Sequence, residues 1–284
     1  NKAFIGVDAT TDSKSQLNAL TTLTLSNNTK DDVIEVGTTS KTLTLNVDNI
    51  TSAGTTYINL DHNGNGVAKN TSNATIETLT INATGKDSNF ELIAGALKDL
   101  TINATAGLNI SDTSTSYATT ALKTIDVNGA GKVDLGNISS AKALNSFDAS
   151  GNTGGVTAEI ETEIAPAALT GTITEYVFSA GNDVVTLSND VIETKITLGA
   201  GDDKITLASG TVIADVVATI DGGTGSNTIA MTAADAQILS SNDTFEGKIS
   251  NFQKLSLGQV ATTTANTAGL KVWKLLKINT ILSK

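Results

Sequence analysis

Three short segments combine glycine, a carboxylate or amide, and an apolar strand in the order that calcium chemistry asks for. They are Ser179-Ala180-Gly181-Asn182-Asp183-Val184-Val185, Gly199-Ala200-Gly201-Asp202-Asp203-Lys204-Ile205 and Gly222-Gly223-Thr224-Gly225-Ser226-Asn227-Thr228-Ile229. Each fits part or all of the nonapeptide G-G-x-G-x-D-x-U-x, in which glycines make a tight turn, Asp points a carboxylate into it and the apolar U starts an inward-facing strand. Ca²⁺ takes about six to eight oxygen ligands in flexible geometry, supplied by carboxylates and by carbonyls that a glycine-rich turn can bend inward. The candidate metal-site residues are therefore Gly181, Asn182, Asp183, Gly199, Gly201, Asp202, Asp203, Gly223, Gly225 and Asn227, with Ca²⁺ as the ion. Asp183, Asp203 and Asn227 are the anchors. They lie 20 and 24 residues apart (183 to 203, 203 to 227), which predicts successive coils with all three on one edge. The third turn has the best glycines but offers a neutral amide oxygen, and is expected to bind most weakly. The competing reading is that these are ordinary turns, since Asn-Asp and Gly-Asp tolerate positive φ without any ion.

The elements that must position these turns repeat along most of the chain. Leu23-Thr-Leu25, Leu43-Thr-Leu45, Leu79-Thr-Ile81, Leu100-Thr-Ile102, Ile125-Asp-Val127 and Phe147-Asp-Ala149 are apolar-polar-apolar triplets of half-buried strands. The last four follow at steps of 21, 25 and 22 residues (79, 100, 125, 147). A strand that recurs at this period with no helix between copies implies stacked coils, none of which buries its apolar face alone. The fold expected is all-β, a right-handed parallel β-solenoid of the β-roll or β-helix kind with coils of about 20–25 residues. A leucine-rich repeat competes, because Ile76-x-x-Leu79-x-Ile81 and its three successors follow L-x-x-L-x-L. The segments between the strands, Asn109 to Ala118 and Gly131 to Gly136, lack apolar positions at helical spacing, which favours the solenoid.

Upstream turns look like the calcium turn with its carboxylate missing or displaced: Gly129-Ala-Gly131-Lys-Val-Asp134 carries it one place late, and Gly151-Asn-Thr153 has Thr. They are expected only to turn. Asp61-His-Asn63-Gly-Asn65-Gly66 copies the opening of an EF-hand loop, but position twelve is Ser72 where the bidentate Glu belongs, and it reads as a hydrated loop. Residues 1–174 are read as threonine-rich coils with degenerate turns, 175–260 as the calcium-type coils and a C-terminal β segment, and 261–284 as a basic amphipathic tail or cap. That last stretch holds the only Trp and four Lys among its final fifteen residues.

With 29 acidic residues against 18 Lys and no Arg, the net charge of −11 argues against nucleic acid or an anionic membrane as partner and for cations. No Cys occurs, so disulfide and thiolate chemistry are excluded. A cysteine-free, acidic chain rich in Thr, Asn, Ser and Gly looks extracellular. Neither a Sec-type leader nor an apolar run of membrane-spanning length stands in the sequence, and the opening on Asn1 leads to the expectation that N-terminal residues are missing. The single histidine, His62, sits in the polar loop, and no Ser-His-Asp set, H-E-x-x-H helix or phosphate-cradling G-x-x-x-x-G-K-[ST] occurs. An enzyme is not expected, although a paired-carboxylate glycosidase needs only two acids at the right separation.

The calcium turns, the threonine-rich coils and the phrase Ile249-Ser-Asn-Phe252-x-x-Leu255-x-Leu257 together resemble the RTX-containing surface-layer proteins of Gram-negative bacteria, most closely the epsilonproteobacterial arrays. The resemblance covers about residues 15 to 260. It implies an RTX-like β-roll, export by a type I secretion system, folding outside the cell in Ca²⁺, and self-assembly into a two-dimensional lattice on the cell surface. Lipopolysaccharide attachment belongs to the same implication, but the anchoring region of the family is not recognisable in this chain. The departure from dense RTX arrays, which repeat every nine residues on both edges, lowers the number of ion sites expected. An exported RTX adhesin, or the repeat region of a larger secreted protein, is the alternative.

Overall fold

The computed structural model describes residues 2–6, 19–51, 55–61, 74–110, 117–163, 173–210, 216–239, 245 and 247–258. Among them are twenty-two strands and one helix, Ala233–Leu239. Neighbouring strands pair in parallel throughout. They form three sheets of ten, eight and four strands. The chain is thus a parallel β-solenoid, and among the described residues helices do not alternate with strands as a leucine-rich repeat would require.

The ten-stranded sheet is the spine. It starts at Thr22–Ser26, passes through Thr42–Asp48, Thr78–Ala83, Asp99–Ala104 and Thr124–Asn128, and ends at Ile249–Ser250. Its alternation is what the triplets encode: Leu43, Leu45 and Val47, then Leu79, Ile81 and Ala83, then Leu100, Ile102 and Ala104 point inward and are buried. In register, Leu43, Leu79, Leu100, Ile125 and Phe147 form one column through five coils. The first triplet departs by two residues, because Leu23 stacks on Leu45 and not on Leu43.

The opposite wall changes partway. The four-stranded sheet, Lys2–Gly6, Val33–Gly37, Tyr57–Asn59 and Glu91–Ile93, serves the first coils. The eight-stranded sheet takes over from Ser88–Asn89 and runs to Lys254–Gly258. One coil therefore contributes to all three sheets, and Phe90, fully buried, fills the corner between Ser88–Asn89 and Glu91–Ile93.

Coil length is less uniform than the expected 20–25 residues. The register advances by 36 residues from Thr42 to Thr78, by 29 from Phe147 to Tyr176 and by 29 from Ile220 to Ile249. In each longer coil the strands above and below remain paired. At the 147-to-176 step the core is aromatic: the Phe147 ring lies 5.4 Å from Tyr176 and 4.9 Å from Phe178, both tilted, and the Tyr176 hydroxyl donates to the Glu161 carbonyl. The ladders continue across residues 174 and 175 through Phe147–Tyr176 and Thr157–Val184.

The outer face of the spine is solvated, unusual for a parallel sheet, which is normally covered on both sides. Side-chain ladders take the place of that cover. Asn46 donates to Thr24 at 3.2 Å, Asn82 to Asn46 at 2.8 Å and Asn103 to Asn82 at 2.9 Å, so amides stacked coil over coil satisfy one another. Thr22, Thr44, Thr80 and Thr101 form the adjacent column.

Candidate functional site

One register column runs along the start of the eight-stranded sheet: Leu108, Val133 and Val156, each the first residue of its strand, then Asp183, Asp203, Asn227 and Gln253, each the residue just before its strand. The first three are buried and apolar. From Asp183 onward the column is polar, and Asp183, Asp203 and Asn227 are at most 1% exposed. The three anchors do fall on successive coils of one edge. Glycines two residues earlier make room for this. Gly131, Gly154, Gly181, Gly201 and Gly225 stack so closely that a Cβ on Gly225 would stand 1.9 Å from the Gly201 carbonyl oxygen. Gly199 and Gly223 make a second stack, with φ of 95° and 69°, values at which only glycine is unstrained.

Backbone bonds run through the column. The Val156 N–H donates to Asp183 Oδ1 at 2.6 Å, the Asp183 N–H to Asp203 Oδ1 at 2.8 Å, the Asp203 N–H to Asn227 Oδ1 at 2.9 Å and the Asn227 N–H to Gln253 Oε1 at 2.7 Å. Each side chain thus reaches up to the coil before it. Asp183 is further held by the Ser179 N–H at 3.0 Å and the Ser179 hydroxyl at 2.6 Å. Asp203 has no such support: its Oδ2 is buried without a hydrogen-bond partner. Burial raises the Asp183 carboxyl to about 6 against the opposing bonds from Ser179 and Val156. Burial, helped by the neighbouring Asp183 and Asp202 charges, raises Asp203 to about 7.

Asn227 shows what this position asks for. Its amide nitrogen donates to the carbonyls of Gly222 at 2.6 Å and Asn251 at 2.9 Å, which belong to adjacent coils. An electropositive group between two stacked carbonyls is what a carboxylate at the same position lacks. The sequence expectation that this turn is the poorest ion site rests on its neutral anchor; in the structure the amide of that anchor bonds both carbonyls.

The neighbouring positions diverge from the anchors, because successive strand residues face opposite ways. Asn182 and Asp202 form an outer, exposed chain in which the Asp202 N–H donates to Asn182 Oδ1 at 2.8 Å and the Ser226 N–H to Asp202 Oδ1 at 2.9 Å. Asp202 and Asp203 therefore serve separate columns. Among the described residues no three His, Cys, Asp or Glu side chains converge as a metal cluster would.

Register also locates what the turn motif could not. Val133 and Val156, not Asp134 or Thr153, stand at the anchor position of the upstream coils, and Asp134 instead accepts the Gly136 N–H at 2.9 Å. Asn152, fully buried, accepts the N–H groups of Gly154 and Gly155 and donates to the Gly131 carbonyl, holding its turn from within. Asp61 is buried and accepts the Gly95 N–H at 2.6 Å; His62 and the rest of the EF-hand-like opening lie outside the described residues, as does the 261–284 tail. No helix of the described residues is long and apolar enough to cross a membrane. Comparison with protein-family models, with curated proteins and with solved structures finds no match to this chain.

Proposed function

We propose that this chain is a structural protein of a bacterial surface layer, exported by a type I route, folded outside the cell with Ca²⁺ and self-assembling into a two-dimensional lattice on the cell surface. The observation that carries the calcium part is the buried Asp203 Oδ2, unpartnered beneath a second buried carboxylate. Two stacked carboxylates with no cation against them are costly, and a divalent ion is the ligand that offsets such a cost. Asp203 and Asp183 are the residues to hold it, with turn carbonyls of the same edge completing an oxygen shell. The lattice part is supported by the sequence resemblance and by the architecture: a rod of parallel ladders that grows along one axis and leaves strand edges at its ends. Bound ions offset the repulsion that a net charge of −11 sets up between copies. Lipopolysaccharide is the anchor that the resemblance suggests.

Electron microscopy and sedimentation with and without millimolar Ca²⁺ test the reading. Ordered sheets that appear on adding Ca²⁺ and dissolve with chelator are expected. A protein that stays monomeric at high concentration in Ca²⁺ overturns the lattice and favours an exported adhesin.

A further inference from the structure

The two ends of the solenoid carry edge strands of matching length and pattern. At the leading end, Thr22-Leu23-Thr24-Leu25-Ser26 pairs only with Thr42–Asp48 among the described residues. At the trailing end, Lys254-Leu255-Ser256-Leu257-Gly258 pairs only with Thr228–Thr232. Both are five residues long with leucines at the second and fourth positions and a small hydroxyl residue, Thr24 or Ser256, between them; Leu23, Leu25 and Leu255 pack against the core. Leu23, Leu25 and Leu255 are half-buried, and Leu257, 40% exposed, is among the most exposed large apolar residues described.

We propose that Lys254–Gly258 of one copy pairs in parallel with Thr22–Ser26 of a second copy, joining molecules head to tail. This rests on the self-association reading and names the contact by which it happens. Aligned without offset, Leu255 meets Leu23, Ser256 meets Thr24 and Leu257 meets Leu25. The interior ladders follow the same rule: Leu23 stacks on Leu45, Ile229 on Leu255 and Met231 on Leu257. Strand polarity selects head to tail. Thr22–Ser26 edges the ten-stranded sheet and Lys254–Gly258 the eight-stranded one, so the second copy is turned about the rod axis to bring the two strands together; such a turn keeps the winding sense of the coils and hence the parallel pairing, while two like ends facing each other pair antiparallel. A strand with no described partner on its outer side gains both ladder bonds and apolar burial of its leucines from this contact. Because the contact uses two different surfaces, it propagates as a line and does not close into a dimer.

The absence of cysteine makes the test direct. Thr24 and Ser256 are exposed, so Thr24→Cys and Ser256→Cys leave the core untouched. Paired strands lie about 4.8 Å apart, within the range of roughly 4.4–6.8 Å between Cα atoms that a disulfide spans. In full-length protein with Ca²⁺ and a mild oxidant, the double variant is expected to give a series of covalent oligomers that thiol returns to monomer. Each single variant is expected to remain monomeric, since head-to-tail stacking never sets a residue against itself. Covalent dimers from a single variant overturn the proposal in favour of a two-fold contact. A double variant that sediments as an assembly yet forms no covalent oligomer also overturns it, and leaves self-assembly standing through other surfaces. A double variant that neither sediments as an assembly nor cross-links, as when the chain's own residues 259–284 cover the trailing strand, removes both the contact and the assembly reading beneath it.

Discussion

The Asp183 N–H donates to Asp203 Oδ1 across 2.8 Å, so the second carboxylate of the column is held by the backbone of the residue that carries the first. The bond fixes one oxygen of Asp203 and leaves the other buried and unanswered. An arrangement of this kind stabilises the fold only when something neutralises the carboxylate, and the choice is between a proton and a cation.

Asp203→Asn separates scaffold from site. The amide keeps an oxygen for the Asp183 N–H and removes the buried charge, as Asn227 does one coil below. In chelator at pH 8 the variant is expected to be more stable than the parent by on the order of 1–3 kcal/mol, while its melting temperature no longer responds to Ca²⁺. Urea unfolding with chelator and with millimolar Ca²⁺ measures both. A variant less stable in chelator means that the charge is not the cost.

Without divalent ions, pH should act in the direction opposite to ordinary acid denaturation. Asp183 and Asp203 titrate higher in the folded chain, about 6 and about 7, than an unfolded Asp at about 4. Between those values the folded state binds more protons, so stability is full below about pH 4 with respect to these groups and is lost as pH rises through 6 and 7. Lys41 and Lys98 hold Glu77 down at about 2 from an ordinary 4.5, so its contribution is present above that ordinary value and is lost as pH falls from it toward 2, below the range of this experiment. Thermal melts in chelator from pH 5 to pH 8 should therefore fall steadily for residues 175–230, and millimolar Ca²⁺ should flatten the slope. A rising profile in chelator would contradict the buried-carboxylate account.

Gly223→Ala is expected to destabilise the lower coils by more than about 1–2 kcal/mol, because φ is 69° and the new Cβ stands 1.8 Å from the Gly199 carbonyl oxygen. Gly258→Ala is the control. Its nearest heavy atom outside its own neighbours is the Met231 carbonyl oxygen at 3.7 Å, and no appreciable change is expected. Urea midpoints of the two variants provide the comparison.

Asn82→Ala breaks the amide ladder in its middle, removing the bond to Asn46 and the one accepted from Asn103. A loss of about 1–2 kcal/mol is expected, from two partly solvated amide bonds. Hydrogen exchange should rise first in Thr78–Ala83 and its two neighbouring strands. An unchanged exchange profile would mean that the ladder only decorates the face.

Much of the spine is legible from local alternation. Leu79-Thr-Ile81 or Leu100-Thr-Ile102 fixes which residues face inward whatever the partner strand, and the anchors at 183, 203 and 227 are recoverable from spacing alone. Register is a non-local property and was less accessible. The slide that sets Leu23 on Leu45, and the presence of Val133 and Val156 at the anchor position, depend on how corners absorb residues between strands. The handover between walls at Phe90 has no local signal either, because a two-residue strand is too short to show a period. The turn motif groups Asp202 with Asp203, but it cannot tell that adjacent residues serve opposite faces.

The two hydrogen-bond chains at this edge run in opposite senses. In the inner column a lower coil's side chain grips the backbone above it, and in the outer one an upper coil's side chain grips the backbone below. A single chain of such bonds would let a rod open like a zipper from whichever end its grips point toward. Two opposed chains remove that preferred direction, so a coil peeled from either end must break a grip belonging to its neighbour as well as its own. Tension along the axis is then met by a block of coils yielding together.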